Sequence, residues 1–288
     1  MQSSISVVVG ASGPGASLEA CLEALEPQVN GKDEVLVYEA EPSAPAFRER
    51  FAFARFAERP GALVPELWRD GIDDSQGDIV ALTIAQMIPA GDWLDTIRGE
   101  HARFDALGGA IEPAGNGMRI VDWAEYFCRY ARDMLPFSPR ESLDLPGDNA
   151  AYKRQVLEAH SDLYRDGFWE PDVHRGLAAD GIVCWHSPEL VVSQSRSFGW
   201  RAFVRQRLAH GRKYGHQRGV RFSRMRNLAG VLGSPLVPFL MTLRVLRQVA
   251  TKRRWRLRAL AALPVIFSFN LAWAVAEARG HLDMLGRR

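Results

Sequence analysis

The segment Gly10-Ala11-Ser12-Gly13-Pro14-Gly15 is the first place where residue types and their spacing predict chemistry. It follows a β-branched run, and the backbone N–H groups of such a glycine loop can hold the phosphates of a dinucleotide. Glu39 ends the next β-branched run, where a dinucleotide-binding fold places the acid that binds ribose. Pro14 opposes this use of the loop, because proline has no N–H to donate to a phosphate. A nicotinamide-dependent oxidoreductase is therefore one alternative function.

Alternating strands and helices would position this loop. Residues 5–9, 34–38 and 78–82 predict buried strands, and apolar residues at helical spacing lie between the first two. A strand, a helix and a second strand in this order form a βαβ unit with parallel strands. Helices are further predicted at 63–74, 93–104, 122–134, 151–159 and 172–179, and strands at 108–111, 182–185 and 190–192. We therefore predict an α/β domain over residues 1–195, with a mostly parallel open sheet and helices on both faces.

The two parts of the chain carry opposite net charges, and the sign changes near Ser195. Residues 1–195 have a net charge of −16, whereas residues 196–288 have a net charge of +18 and only two acids, Glu277 and Asp283. Such an asymmetry predicts an anionic partner for the second part, either nucleic acid or the cytoplasmic surface of a membrane.

Residues 196–288 combine their positive charge with long apolar stretches. Residues 197–214 alternate apolar side chains with arginines, which is typical of a basic amphipathic helix. Uncharged stretches follow at 227–243 and 259–276, with seven cations between them. Such long apolar runs are not needed in a basic groove that binds nucleic acid, so we expect no nucleic-acid partner.

The two uncharged stretches are slightly short of the ~20 residues that a spanning helix needs, and both contain proline. A spanning hairpin would also place the seven cations on the far side of the membrane from a cytoplasmic front domain, against the positive-inside rule. We expect helices that lie in the membrane interface or dip into it, with the cations on anionic headgroups. The alternative is a helical cap packed on the front domain.

The start of the chain and its cysteines predict the compartment. The first residues have no basic region and no long apolar run, so we expect a buried strand there and not a signal peptide. Cys21, Cys128 and Cys184 are far apart and match no metal-binding spacing, which is typical of reduced cysteines in the cytosol. With the basic apolar tail, these features predict a peripheral or monotopic protein on the cytoplasmic face of the inner membrane.

An ordered set of segments over residues 6–214 is more specific than any single motif. In chain order they are SVVVGAS, EVLVYEAE, GDIVALTIAQMIPAGDWL, GGAIEP, LPGDNAAYKR, DGFWEPDVHRGLAADG and SPELVVSQSRSFGWRAFVRQR. This series resembles the family 2 glycosyltransferases, which are inverting enzymes with the glycosyltransferase A fold. The resemblance implies transfer of a sugar from a nucleotide-sugar donor to an acceptor hydroxyl, at the carboxyl ends of the strands.

The resemblance also implies which residues bind the donor. These are Gly10, Ala11, Ser12, Glu39, Thr83, Gln86, Gly147, Asp148 and Asn149. Residues 10–12 and Glu39 match the positions that hold the nucleoside, and Glu39 replaces the usual aspartate. The alternative role of Glu39 is that of a solvated loop acid. Residues 147–149 match the loop under the transferred sugar, where asparagine is common at the position of Asp148.

Glu170 matches the position at which the family places its catalytic base. An inverting transfer needs a carboxylate near the acceptor hydroxyl, opposite the leaving nucleotide, and Phe168 and Trp169 can partly desolvate it. Asp172 is the second choice for the base, since the family carries a second acid two residues on. The alternative role of Glu170 is to place negative charge at the start of a short helix. We expect His174 to be a packing or hydrogen-bonding residue.

The metal-binding motif of the family is missing. The Asp-x-Asp carboxylates of the family bind the divalent cation that neutralises the leaving diphosphate, but Ile84-Ala85-Gln86 stands in their place. Gln194 matches a histidine that often completes this metal site. Because Mg²⁺ and Mn²⁺ prefer carboxylate oxygens, we assign no metal ligand and predict no certain cofactor.

Three interpretations of this departure stay open. The transfer can be metal-independent, with Arg196, Arg201 or Arg205 neutralising the diphosphate. Glu170 or Asp172 can help to hold a weakly bound Mg²⁺ or Mn²⁺. The chain can also be a degenerate, membrane-associated binding protein with the same fold. For an active transferase we expect a glycan or lipid-linked acceptor near the membrane, as in surface polysaccharide or glycolipid assembly.

Overall fold

The chain divides into two compact units. A computed structural model describes residues 3–12, 16–115, 117–195 and 199–286. Unit 1 consists of Met1–Glu112 and Asp133–Ser195, and unit 2 of Pro113–Arg132 and Arg196–Arg288. The break after Ser195 lies where the net charge changes sign, but residues 113–132, which we assigned to the front domain, group with the C-terminal residues.

A mixed sheet forms the centre of unit 1. Among the described residues it has nine strands. They are β1 (Ile5–Ala11), β2 (Glu34–Glu39), β3 (Ala54–Glu58), β4 (Ile79–Ile84), β5 (Met87–Pro89), β6 (Ala106–Glu112), β7 (Arg140–Glu141), β8 (Asn149–Lys153) and β9 (Cys184–Gln194). Their order is β3-β2-β1-β4-β8-β6-β9-β5, with β7 paired to β9. The predicted α/β class is confirmed, and β1 pairs in parallel with β2 and β4 as expected.

The α-helices are numbered in chain order across both units. They are α1 (Ala16–Leu25), α2 (Pro45–Arg50), α3 (Val64–Asp74), α4 (Trp93–His101), α5 (Ile120–Tyr130), α6 (Arg154–Ala159), α7 (Glu170–Ala179), α8 (Trp200–Arg221), α9 (Arg224–Gly233), α10 (Val237–Lys252) and α11 (Arg256–Leu285). Helix α5 and helices α8 to α11 belong to unit 2, and the others belong to unit 1.

Strands β1 and β4 lie at the centre of the sheet because their residues are almost all β-branched or aliphatic. Every residue of both strands is buried, which is typical of parallel strands covered on both faces. Helix α3 buries Leu67, Trp68 and Ile72 against them. Its first turn is stabilised by Glu66, whose carboxylate accepts a hydrogen bond from the backbone N–H of Leu63 at 2.7 Å.

The predicted helix at 151–159 is wrong in its first three residues. Residues 149–153 form strand β8, which is antiparallel to β4 and β6, and α6 begins only at Arg154. Ala150, Ala151 and Tyr152 are fully buried between the two neighbouring strands. Pairing within the sheet therefore overrides the helix preference of the alanines. The strands predicted at 182–185 and 190–192 are one strand, β9, whose register with β6 shifts after Gly109.

Unit 2 consists of helices, and α11 packs against the others. The predicted amphipathic helix at 197–214 is α8, which runs from Trp200 to Arg221. Pro235 and Pro238 lie in the first turns of a 3₁₀ turn and of α10, where no helical N–H is lost. Close approach of α8 to α11 requires glycine, since a Cβ on Gly215 would lie 2.3 Å from the carbonyl oxygen of Glu277.

The apolar helices of unit 2 are longer than we expected. The segments Arg224–Lys252 and Arg256–Leu285 contain 29 and 30 residues, and both are long and apolar enough to cross a membrane. That statement rests on length and composition alone. The charged residues at both ends of each uncharged stretch continue the helix. The expectation that these segments are too short to span a membrane is therefore wrong.

Candidate functional site

The carboxyl ends of the central strands bring the predicted donor-binding residues to one edge of the sheet. Ala11 and Glu39 are register partners at the ends of β1 and β2. Strand β8 begins at the same edge, because its antiparallel pairing places Asn149 opposite Thr83. The Thr83 hydroxyl donates to the carbonyl oxygen of Asp148 at 3.0 Å. The residues at this edge are Gly10, Ala11, Ser12, Glu39, Thr83, Gln86, Gly147, Asp148 and Asn149.

Trp68 of α3 lies beneath this edge and joins three of its segments. Its indole Nε1 donates to the carbonyl oxygen of Thr83 at 2.8 Å. A Cβ on Gly10 would lie 3.3 Å from the same nitrogen, and a Cβ on Gly147 would lie 2.8 Å from Cη2. Trp68 is not among the site residues that the sequence predicts. Its four-residue spacing from Ile72 predicts a core residue, and only the fold shows which segments it contacts.

Glu170 lies directly against Gly147. A Cβ on Gly147 would lie 2.8 Å from both Cγ and Oε1 of Glu170, so the carboxylate occupies the space that any larger residue at position 147 would need. Glu170 is half-buried and is the first residue of α7. Both interpretations of Glu170 fit this position. A negative charge is favourable in the first helical turn, and a carboxylate at the strand tips can accept a proton.

Asp172, the second choice for the base, is ion-paired. Its Oδ1 lies 2.9 Å from a terminal guanidinium nitrogen of Arg175, three residues further along α7. The side chain of Asp172 is 29% exposed, so the pair is partly solvated. An approaching hydroxyl would have to compete with Arg175 for this carboxylate. Of the two acids, Glu170 is the one that contacts Gly147 at the carboxyl edge.

His174 fixes the loop before Gly147 to the sheet. Its Nδ1 accepts a hydrogen bond from the backbone N–H of Leu145 at 3.3 Å, and its Nε2 lies 2.7 Å from the Tyr152 hydroxyl. Because Nδ1 accepts, we assign the ring proton of the neutral imidazole to Nε2. Burial raises the pKa of Tyr152 well above its ordinary value, and Cys184 and Glu170 add to the effect. The hydrogen-bonding role predicted for His174 is confirmed.

The side chain of Asn149 holds the start of β8 to its neighbours. Its Nδ2 donates to the carbonyl oxygens of Ala110 and Leu190 at 2.9 and 3.0 Å. Its Oδ1 accepts from the indole of Trp93 at 2.8 Å. The amide is fully buried. Asn149 therefore positions the backbone of residues 147–149, and its side chain does not face a ligand.

Glu39 is buried and paired at the end of β2. It is 1% exposed, and Arg48 donates to its Oε2 at 2.8 Å. Its Oε1 accepts from both the backbone N–H and the hydroxyl of Ser43. Hydrogen bonds to Glu58 and to Glu39 raise the pKa of Arg48. The alternative interpretation of Glu39 as a solvated loop acid is therefore wrong.

The two positions that the family resemblance assigns to a metal lie side by side. Met87 and Gln194 are register partners between β5 and β9, and the main-chain oxygen of Gln86 accepts from the backbone N–H of Ser195 at 2.7 Å. Both Gln86 and Gln194 are buried amides. Within the described ranges, no three His, Cys, Asp or Glu side chains are arranged to hold a metal ion. This donor set does not fit a divalent cation.

Some predicted residues belong to unit 2 or are outside the described ranges. Pro14 of the glycine loop and Arg196 are not among the described residues. Arg201 and Arg205 are exposed on α8 in unit 2.

Comparisons with known proteins identify the fold. No model of a known protein family matches the chain, and no curated protein matches it significantly. The solved structure of the mannosyltransferase PcManGT from Pyrobaculum calidifontis, in complex with GDP-Man and Mn²⁺, matches 99% of this chain and 86% of its own, with a TM-score of 0.54 and 16% identity. GalNAc-T7 with UDP, GalNAc and Mn²⁺ matches 69% of this chain and 44% of its own, with a TM-score of 0.53 and 11% identity. The chain thus has a glycosyltransferase-like α/β fold, followed by apolar C-terminal helices.

Proposed function

We propose that this protein is an inverting glycosyltransferase that moves a sugar from a nucleotide-sugar donor to an acceptor hydroxyl. The observation that carries the proposal is the contact of Glu170 with Gly147 at the carboxyl edge of a glycosyltransferase-like sheet. Both similar structures named above were solved with a nucleotide or a nucleotide-sugar. We infer that residues 10–12 hold the nucleoside, that Glu39, paired with Arg48, positions the end of β2 beside them, and that the backbone of residues 147–149 lies under the sugar.

In the proposed reaction, Glu170 acts as the general base. The acceptor oxygen attacks the anomeric carbon as the Glu170 carboxylate takes the hydroxyl proton. The bond between the anomeric carbon and the diphosphate oxygen breaks on the opposite face, and the nucleoside diphosphate leaves with the bonding electrons. Gly147 allows this arrangement, because a side chain at position 147 would displace the carboxylate.

The charge of the leaving diphosphate has to be neutralised. Gln86 and Gln194 are neutral amides, so we propose that arginine side chains do this work in place of a carboxylate-held metal. We also propose a glycan or lipid-linked acceptor close to the cytoplasmic face of a membrane. The two apolar helices of unit 2 support that location.

The test is a transfer assay with a panel of nucleotide-sugars, run with Mn²⁺ and with a metal chelator. We expect one donor to raise the thermal stability of the protein by mass action and to be consumed in the presence of an acceptor. Proton NMR of the product should show the anomeric configuration opposite to that of the donor. Retention of configuration, or loss of all turnover with the chelator, would contradict the proposed mechanism.

The adjacent amides Gln86 and Gln194 also favour a second candidate, a degenerate binding protein with the same fold. Such a protein would bind nucleotide poorly, and the substitution Glu170→Gln would leave its properties unchanged. The same panel separates the two, because a degenerate protein would consume none of the donors.

A further inference from the structure

Exposed apolar side chains follow one face of α9 and α10 in unit 2. They recur at three- and four-residue spacing, which places them on the same side of a helix. They are Met225, Leu228, Leu232, Leu236, Phe239, Leu240 and Leu243, with exposed fractions from 41% to 74%. We call this set the apolar face. The buried residues of α10 are Pro238, Thr242, Val245 and Val249, so apolar side chains lie on both the inward and the outward side of this helix.

Helix α11 lies antiparallel beside α10 and extends the apolar face. The rings of Phe239 and Phe267 lie 5.0 Å apart, and Asn270 donates to the Thr242 hydroxyl at 3.0 Å. Leu257 and Leu260 of α11 are 81% and 58% exposed. Only 17% of the most apolar part of α9–α10 and 39% of that of α11 is buried in the protein. Helices of a soluble core would be mostly buried, so this surface needs another apolar environment.

Charged helices of the same unit contact α11 at several points. Immediately before the first residue of α11, the ring of Trp255 lies 4.9 Å from that of Trp123 in α5. Near the middle of α11, Phe203 of α8 packs on Phe269, with ring centroids 4.7 Å apart. The guanidinium of Arg207 in α8 lies 5.3 Å from the ring centre of Trp273.

This packing opposes a membrane-spanning hairpin. If α11 crossed the bilayer, the arginines on either side of Phe203, including the exposed Arg201 and Arg205, would enter the hydrocarbon layer. The part of α11 before Phe269, residues 256–268, is only about 20 Å long at 1.5 Å per residue. The hydrocarbon layer is about 30 Å thick. A hairpin lying flat leaves these contacts intact.

The charge around the apolar face indicates which kind of surface covers it. No acidic residue occurs between Arg224 and Ala276. Exposed arginines stand before the face at 224 and 226 and around the turn between α10 and α11. A second copy of the chain placed against this face would bring positive charge against positive charge. An anionic lipid surface offers both the apolar layer and the opposite charge.

We propose that the apolar face inserts into the boundary between headgroups and acyl chains of an anionic bilayer, as a monotopic hairpin whose arginines contact lipid phosphates. The proposal refines the membrane location inferred above. It does not depend on the transfer reaction, because vesicle binding can be measured in a variant with no turnover. Failure of one proposal therefore leaves the other in place.

Flotation of the full chain with vesicles tests the proposal. We expect the protein to float with phosphatidylcholine vesicles that contain phosphatidylglycerol, and to bind pure phosphatidylcholine at least about tenfold less. The triple substitution Leu236→Ser, Phe239→Ser and Leu240→Ser should reduce binding about tenfold or more. The matched control is Leu143→Ser in unit 1, which removes a leucine that is 67% exposed. Circular dichroism must show unchanged helix content.

Unchanged flotation of the triple variant would overturn the proposal. A second result would also overturn it. If the natural chain fails to float and is a dimer without lipid, and if the triple variant is a monomer, then a second copy of the chain covers the apolar face.

Cysteine labelling in bacterial cells separates a flat hairpin from a spanning one. Thr251 is exposed in the last turn of α10, so Thr251→Cys places a thiol at the tip of the hairpin. A membrane-impermeant maleimide should label it only after cell lysis if the hairpin lies flat on the cytoplasmic side. Labelling in intact cells would mean that the tip has crossed the membrane. The natural chain, whose Cys21 and Cys184 are buried, gives the background.

Discussion

Helix α3 in unit 1 and helix α10 in unit 2 expose opposite kinds of side chain. Helix α3 buries Leu67 and Trp68 against the sheet and presents Asp73 to solvent. Helix α10 buries Val245 and Val249 but also presents Phe239 and Leu240. Apolar residues thus lie on both sides of α10, and the sequence pattern alone does not tell which side faces the protein. The surroundings decide, and for α10 the outer surroundings cannot be water alone.

The same contrast separates the chemistry of the two units. The carboxyl edge of unit 1 holds its acids in fixed contacts, as Glu39 with Arg48 and Glu170 with Gly147 show. Unit 2 instead presents arginines around an apolar face. The first arrangement suits a small, oriented ligand and the second suits a broad anionic surface.

The largest effect that we predict is on the stability of unit 1. Trp68→Ala should lower the free energy of unfolding by about 3–5 kcal/mol, because it leaves a cavity and removes the hydrogen bond to Thr83. Trp200→Ala in unit 2 is the matched control. This tryptophan is 51% exposed, so its loss should change stability by about 0.5 kcal/mol or less. Urea denaturation measures both, and equal effects would show that Trp68 does not support the edge.

Gly147→Ala should reduce kcat/KM by about 100-fold, since the added Cβ displaces the carboxylate of Glu170. Steady-state kinetics and the melting temperature should be measured together, because the loss has to appear in a folded protein. Gly91→Ala is the matched control, as a Cβ there meets nothing within 4 Å. A Gly147→Ala variant with normal kinetics would mean that the contact has no role in the reaction.

Tyr152→Phe should lower the free energy of unfolding by about 1–3 kcal/mol, because the buried Nε2 of His174 loses its partner. Tyr214→Phe in unit 2 is the matched control. The Tyr214 hydroxyl accepts a long, exposed hydrogen bond of 3.4 Å from Arg218, so its loss should leave the free energy of unfolding almost unchanged. Thermal denaturation of both variants compares them. A Tyr152→Phe variant as stable as the natural protein would remove the link between His174 and the sheet.

The smallest effect is a pH dependence to which buried histidines of both units contribute. Burial lowers the pKa of His101 in unit 1 to about 4, and burial together with Arg129, Arg207 and Lys213 lowers that of His210 in unit 2 to about 4. The ordinary pKa of histidine is about 6.5, so the unfolded chain binds more protons between pH 6.5 and pH 4. The contribution of these histidines to the free energy of unfolding is therefore fully present above pH 6.5, and it is lost as the pH falls from 6.5 toward 4.

For His101 and for His210, the free energy of unfolding should fall by about 1 kcal/mol between pH 6.5 and pH 5.5. Denaturation at several pH values measures the sum, and NMR titration assigns it to each ring. Stability that rises on acidification in this range would contradict the assignment.

The sequence predicts the central strands because short runs rich in valine and isoleucine, such as residues 5–9 before Gly10, are typical of buried strands. It does not predict β8, since the alanines at 150 and 151 prefer a helix until β4 and β6 flank them. It also does not place α5 in unit 2, because Trp123 and Phe127 fit any apolar surface.

Within the site, family resemblance places Glu170 and residues 147–149 in the same reaction, but no local pattern predicts their contact. The two are distant in sequence, and their approach depends on Trp68 and on the hydrogen bonds of His174. Such tertiary contacts are visible only in the folded chain.

Turnover of Glu170→Gln with the donor selected by the panel tests the central claim most directly. We expect a loss of about 100-fold or more with nearly unchanged donor affinity, because the amide cannot take the acceptor proton. Asp172→Asn should lose much less, and Glu189→Gln, an exposed acid on β9, serves as the matched control. If Glu170→Gln keeps its turnover, or if Asp172→Asn shows the larger loss, then Glu170 is not the base and the proposed site is contradicted.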